Sequence, residues 1–291
     1  MGANFSSCVC DEDNDGGSSM RPRLGDIPES CVAFVLMHMD PPDICKLARL
    51  NKAFRAASLA DFIWESKLPL NYKFIMEKAL EDDYFVAELG KKKDVYARLC
   101  RPNLFDNGTK EIWLDKKTCG VCLAISSKAL RITGIDDRRY WNYISTEESR
   151  FHIVAYLQQI WWLELEGDIE FQFPPGTYSV FFRLQLGKSS KRLGRRVCNT
   201  ENIHGWDIKP VKFQITTSNG QHVVSQSYLD NPGNWVLYHA GNFDSKSYGD
   251  LMKIKFSLTQ IDCTHIKGGL CVDSIFICNI DVKNGVDCFP R

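Results

Sequence analysis

The spacing of apolar residues changes along this chain, and that change constrains the fold more than any other feature. Near the N-terminus, Val32, Val35, Leu36 and Met39 fall at i, i+3, i+4 and i+7, a single stripe on a short helix. Beyond the turn sequence Asp106-Asn107-Gly108 the period becomes two. Tyr178, Val180, Phe182, Leu184 and Leu186 alternate with Ser179, Phe181, Arg183 and Gln185. Val211, Phe213 and Ile215, then Ile254, Phe256 and Leu258, repeat the pattern, so each run is a strand with one face toward a core. Trp161, Leu163 and Leu165, followed by Ile169, Phe171 and Phe173, predict two strands meeting at Gly167. Leu270 and Val272 are followed by Ile275 and Ile277, a slip of one position that predicts a bulge near Asp273. Many strands without a long helix between them exclude a doubly wound parallel sheet. They predict an antiparallel β-sandwich of jelly-roll type.

The fold class expected is therefore α+β and multidomain: a small three-helix module followed by a β-sandwich. The expected boundaries are a tail over 1–20, the helical module over 21–68, a helical linker over 69–108 and the β domain over 109–291. In the module, Asp40 is placed to cap a second helix, with Pro41 in its first turn, where a missing N–H costs nothing. Ile44, Leu47, Ala48, Leu50 and Phe54 supply its apolar surface. So few short helices make a thin core, which needs the rest of the chain or a partner for stability. In the linker, Tyr72, Ile75, Met76 and Ala79, then Val95, Tyr96 and Leu99, return to helical spacing.

Charge excludes one class of partner. The 36 basic and 36 acidic residues balance, so no overall field draws the protein to nucleic acid. No apolar run approaches the roughly 20 residues that span a bilayer. Met1 to Cys10 lack the basic flank and apolar core of a secretory signal, so the twelve cysteines are expected to be reduced thiols in the cytoplasm or nucleus. Met1-Gly2-Ala3-Asn4-Phe5-Ser6 fits the pattern for acylation of Gly2, and Cys8 and Cys10 could carry a second acyl chain. Membrane association, at the periphery, is expected only if those groups are modified, because one chain alone binds marginally.

Two stretches carry a family resemblance. Ile27-Pro28, Val35-Leu36, Met39-Asp40-Pro41-Pro42-Asp43-Ile44, Leu47 to Arg55 and Asp61-Phe62-Ile63-Trp64 together resemble an F-box, with Ile27 in place of the usual leucine. The resemblance implies docking on a Skp-type adaptor and, through it, a cullin, with Pro28, Leu36, Pro42, Ile44, Leu47 and Trp64 contributing to the interface. Ser127 to Gly134, Asp137-Arg138-Arg139-Tyr140-Trp141, Gln159 to Glu164, Gly176-Thr177-Tyr178 and Gly269 to Ile275 are similar to the phloem protein 2, or tobacco-agglutinin-like, lectins. That similarity implies a lectin-type sandwich for N-acetylglucosamine oligomers and N-glycan cores, with Trp141 as an aromatic platform and Asp273 as the hydrogen-bonding acid. Gly134 stands where the family carries a further tryptophan. Together the two stretches resemble plant F-box proteins of the phloem protein 2 A-type group.

The remaining constellations carry less. Cys119-Gly120-Val121-Cys122 lacks the second ligand pair of a structural zinc site, so no metal is expected. Glu164, Glu166, Asp168 and Glu170 alternate along strand sequence and read as one solvent face rather than a glycosidase pair. Lys188, Lys191, Arg192, Arg195 and Arg196 form a basic patch around Gly194, which reads as a solvated loop, with an anionic partner or a nuclear signal as the alternatives. No nucleophile with a partner base stands out, and no cofactor is implied. The expectation is a non-enzymatic substrate receptor of a Skp-cullin-F-box ubiquitin ligase, its β domain selecting a glycoprotein or protein target. The alternative is a carbohydrate-binding defence lectin without a ligase role.

Overall fold

The computed structural model describes residues 27–79, 90–192, 195–246 and 249–280, with side chains left undescribed over 189–198. Gly2, Cys8 and Cys10 lie outside the described residues, as do the side chains of Lys191, Arg192, Arg195 and Arg196.

The helical module holds four short helices rather than three: α1 (Glu29–Met37), α2 (Pro41–Leu47), α3 (Lys52–Ala57) and α4 (Asp61–Glu65). The extra break falls at Ser58 to Ala60. The Trp64 indole Nε1 donates to the Ser58 carbonyl at 2.7 Å, which pins that turn. Asn51 caps α3, its Oδ1 accepting from the Phe54 amide at 2.8 Å. Asp40 occupies the corresponding position before α2, but its side chain makes no capping bond there. The Asp40 backbone carbonyl accepts from Asp43 and Ile44 instead. The expected stripe on α1 also shifts. Val32, Ala33 and Leu36 face inward, while Phe34 and Val35 face solvent.

Helices α5 (Tyr72–Ala79) and α6 (Lys92–Leu99) join this module to the sheets. Tyr96 of α6 packs on Trp64 with ring centroids 5.3 Å apart, and its hydroxyl donates to the Lys116 carbonyl in the turn that follows Leu114. Phe74 of α5 meets Phe171 edge-on at 5.3 Å. One apolar cluster therefore runs from Val32 to Ile277, and the thin core expected of the module is completed by the linker and the β domain.

The β domain opens earlier than the turn at Asp106 suggests. Asn103 to Phe105 already form β1, paired with β2 (Lys110–Leu114) across that turn. Asp106, Asn107 and Gly108 all take positive φ, as a tight reversal requires. The remaining strands are β3 (Val121–Ser126), β4 (Arg131–Ile132), β5 (Trp141–Ser145), β6 (Ile153–Leu157), β7 (Leu163–Phe171), β8 (Gly176–Leu186), β9 (Lys188–Arg192) and β10 (Arg195–Asn199). They continue with β11 (Val211–Thr217), β12 (His222–Ser227), β13 (Trp235–Ser245), β14 (Met252–Gln260) and β15 (Leu270–Asn279). An eight-stranded sheet holds β1, β2, β3, β15, β6 and β5, with β8 against β15 and β13 against β8. A five-stranded sheet follows the order β12-β11-β14-β7-β4. Every pairing between the described strands is antiparallel. Phe182 of the first sheet meets Phe213 and Phe256 of the second at 5.1 and 6.2 Å, so these rings join the two layers.

Gly167 does not divide two strands. It lies inside one continuous strand, β7, paired without a break along β14, and a Cβ there would come within 2.4 Å of the Phe256 ring and 2.7 Å of Leu130. The glycine makes room for an aromatic ring rather than for a turn. The bulge expected near Asp273 is present. Leu270 to Val272 pair with β6, Ser274 to Cys278 pair with β3, and the register against β8 shifts between Val272 and Ser274.

Candidate functional site

The residues expected to dock an adaptor separate into two sets. Leu36, Ile44 and Trp64 are buried in the core of the module, Pro42 and Leu47 are half-buried, and Pro28 is exposed. The buried three hold the helices together. The outward apolar surface comes from other residues, and Phe34 and Phe62 lead it. They are 60% and 40% exposed, with ring centroids 5.5 Å apart. Val35, Leu50, Leu59 and Ile27 are also exposed on this module. Large apolar side chains exposed on so small a unit make it a candidate contact surface. The signal for it lay in α1, Glu-Ser-Cys-Val-Ala-Phe-Val-Leu-Met, which has only one charged residue and therefore no polar face to turn to water.

In the β domain, both residues expected to contact sugar are internal. Trp141 is 1% exposed, and its Nε1 donates to the Thr133 carbonyl at 3.1 Å. It packs in the sandwich core and offers no free indole face, which corrects its role as a platform. Asp273 is 0% exposed at the β15 bulge. Its carboxylate accepts from Arg183 Nη1 at 2.6 Å, from Ser149 Oγ at 2.5 Å and from Ser274 Oγ at 2.9 Å. Its acceptor sites are used inside the protein, and it serves as a structural acid. Gly134 has φ +79°, a backbone that any side chain would strain.

The exposed tryptophans are Trp161 and Trp162, between β6 and β7. Lys267 secures this segment. Fully buried, its ammonium donates to the carbonyls of Trp161, Asp262 and His265, at 2.7, 2.7 and 3.3 Å, which satisfies its three donors. Trp162 Nε1 donates to Glu164 Oε2 at 3.2 Å. Glu164, Glu166, Asp168 and Glu170 share the outer face of β7, while the residues alternating with them are buried. Asp168 pairs with both Arg131 and Lys253, and Glu166 with Arg131. Burial alone would raise the Asp168 carboxyl, but hydrogen bonds from Lys253 and Arg131 outweigh it and hold the group below its ordinary range. Cys119 lies within the hairpin turn that starts at Asp115 and Cys122 follows it on β3; the Asp115 Oδ1 accepts from the Lys117 and Thr118 amides. Burial pushes the Cys119 thiol up, away from the thiolate that metal ligation or disulfide exchange uses.

Comparison with known proteins decides the family. The F-box domain model matches residues 24–66, and the Phloem protein 2 model matches residues 120–279. The chain is 60% identical to F-box protein PP2-A13 of Arabidopsis thaliana, over 95% of this chain and 96% of that one. The chain belongs to the phloem protein 2 family of F-box proteins. F-box protein PP2-A12 of the same plant is 57% identical, over 94% of this chain and 91% of that one. Among solved structures, the β domain of this phloem protein 2 chain is similar to a family 35 carbohydrate binding module from Clostridium thermocellum. That match has 12% identity and a TM-score of 0.32, covering 54% of this chain and 96% of that one. Among the described residues of this family member, no helix is long and apolar enough to cross a membrane.

Proposed function

We propose that this chain is a substrate receptor of a Skp-cullin-F-box ubiquitin ligase. The helical module docks on the Skp-type adaptor, and the β domain holds a glycoprotein or protein target. The observation that carries this reading is the exposed Phe34–Phe62 pair on a module matched by the F-box model. The work required is positioning. Holding a target lysine beside a charged conjugating enzyme raises its effective concentration, and the chain need supply no catalytic group of its own. It acts in the cytoplasm or nucleus, with acylation of Gly2, Cys8 or Cys10 adding a peripheral hold on membrane. Co-purification with a recombinant Skp-type adaptor tests the docking. Wild type is expected to form a stoichiometric complex and a Phe34→Ser/Phe62→Ser variant to lose it, while failure of the wild type to bind would end the proposal.

A second reading is favoured by the exposed Trp161–Trp162 pair beside Glu164: the β domain binds sugar, as in a defence lectin without a ligase role. A glycan array on wild type and Trp161→Ala/Trp162→Ala separates the two. Sugar binding that the double variant abolishes, together with no adaptor binding, would favour the lectin.

A further inference from the structure

A cleft of about 680 Å³ opens between the loop carrying His204, Trp206 and Asp207 and the loop carrying Tyr228, Leu229 and Asp230. Its floor is apolar. Trp206 and Leu229 are buried, and the Trp206 indole is fixed by a 2.7 Å hydrogen bond from Nε1 to the Gly268 carbonyl. Its rim is polar and open, with Asp207, Asp230, His204 and a half-exposed Tyr228. The two carboxylates have no basic partner among the described residues, unlike Asp168, Asp262 and Asp273. The lysine closest to Asp207 in sequence, Lys209, is paired with Asp262 and does not neutralise the rim.

We infer that this cleft binds an arginine or lysine side chain of a partner polypeptide. The chemistry is complementary along the length of such a side chain. The apolar floor receives the methylene stem, the exposed tyrosine ring offers its face to the cation, and the two carboxylates accept its N–H groups. Arginine suits the site better than lysine, because its planar guanidinium can stack on Tyr228 while donating in two directions. A neutral sugar would also find an aromatic ring and acceptors here. It would, however, leave two carboxylate charges uncompensated beside an apolar surface, which favours a cation as the occupant. The inference deepens the proposal that the β domain selects a protein target, and it rests on that reading for its biological role. The binding itself requires no adaptor.

The test uses the isotopically labelled full chain and follows the Trp206 indole N–H resonance by NMR. The probes are acetyl-Gly-Arg-Gly-amide, the same peptide with citrulline in place of arginine, and N-acetylglucosamine trimer. The arginine peptide is expected to shift the Trp206 resonance saturably and to bind at least about ten-fold more tightly than its uncharged counterpart. High salt should weaken it, because the carboxylates are at the surface. Asp207→Asn/Asp230→Asn should abolish the shift without lowering Tm. Equal response to the citrulline peptide, retention of binding by the double variant, response to the sugar alone, or no response to any probe would each overturn the inference. None of these outcomes bears on adaptor co-purification, so failure here is distinct from failure of the ligase reading.

Discussion

Arg183 and Asp273 meet inside the eight-stranded sheet, Nη1 donating to Oδ2 over 2.6 Å, where β15 exchanges one neighbouring strand for another. The guanidinium also lies 4.5 Å from the Trp235 ring centroid and donates to the Glu148 carbonyl at 2.8 Å. The pair thus ties the loop at Glu148 and Ser149 to the bulge. Asp273→Ala leaves the guanidinium with a charge that has lost its counter-ion in a partly buried site, and is expected to cost about 3–5 kcal/mol. Chemical denaturation measures it. If Asp273→Leu/Arg183→Met is as unstable as Asp273→Ala, the unpaired charge is not the cause.

Gly167→Ala should destabilise by about 1–3 kcal/mol through overpacking, since the added methyl meets both Phe256 and Leu130. Phe256→Leu in the same chain is expected to recover part of the loss. Thermal melts of the two single variants and the double variant measure the coupling, and strict additivity would contradict it.

Trp64 and Trp141, expected from the family motifs to contact adaptor and sugar, should behave as core residues. Trp64→Ala and Trp141→Ala are each expected to cost about 3–5 kcal/mol. Phe34→Ser/Phe62→Ser should leave Tm nearly unchanged while removing adaptor binding. A Trp64→Ala chain that stays fully folded yet loses the adaptor would move Trp64 to the interface.

Asp168 gives a pH dependence of definite sign. Its folded carboxyl titrates below the unfolded one, because Lys253 and Arg131 hydrogen-bond to it. Its contribution is therefore fully present above the unfolded carboxylate range and is lost as pH falls through the folded value. Asp168→Asn should flatten the acid limb of Tm against pH and leave its shape above neutrality unchanged. An unchanged acid limb would show that the pairs with Arg131 and Lys253 add nothing.

Gly134→Trp is expected to lower Tm, because φ +79° disfavours any side chain and a Cβ would lie 3.4 Å from Tyr140. It should not create affinity for N-acetylglucosamine oligomers, since the Trp141 beside it in the family pattern is in the core. Titration calorimetry with the trimer checks this, and a gain in affinity would reopen the role of Trp141.

The division between a helical part and an antiparallel sandwich was legible in the residues alone, because period is a local property. Alternation along Tyr178 to Leu186 means one buried face whatever lies opposite, and the slip at Asp273 implies a bulge for the same reason. The F-box and phloem protein 2 motifs were legible as runs of residue types. Which members of those motifs face outward was not. Trp141 and Trp162 are the same residue type in neighbouring motifs, yet the first is in the core and the second at the surface. Trp141 starts β5 with its indole in the apolar core, whereas Trp162 lies in the segment between β6 and β7 and stays exposed. Gly167 reads as a break because glycine weakens strands, but it sits opposite Phe256 on the neighbouring strand β14, whose ring takes the space a side chain would fill. The cleft between His204 and Asp230 joins loops that are distant along the chain. The chain's local chemistry thus determined its elements and family. Burial, partner choice and the assembly of surfaces were decided by long-range packing, where each side chain's environment is built by residues far away in sequence.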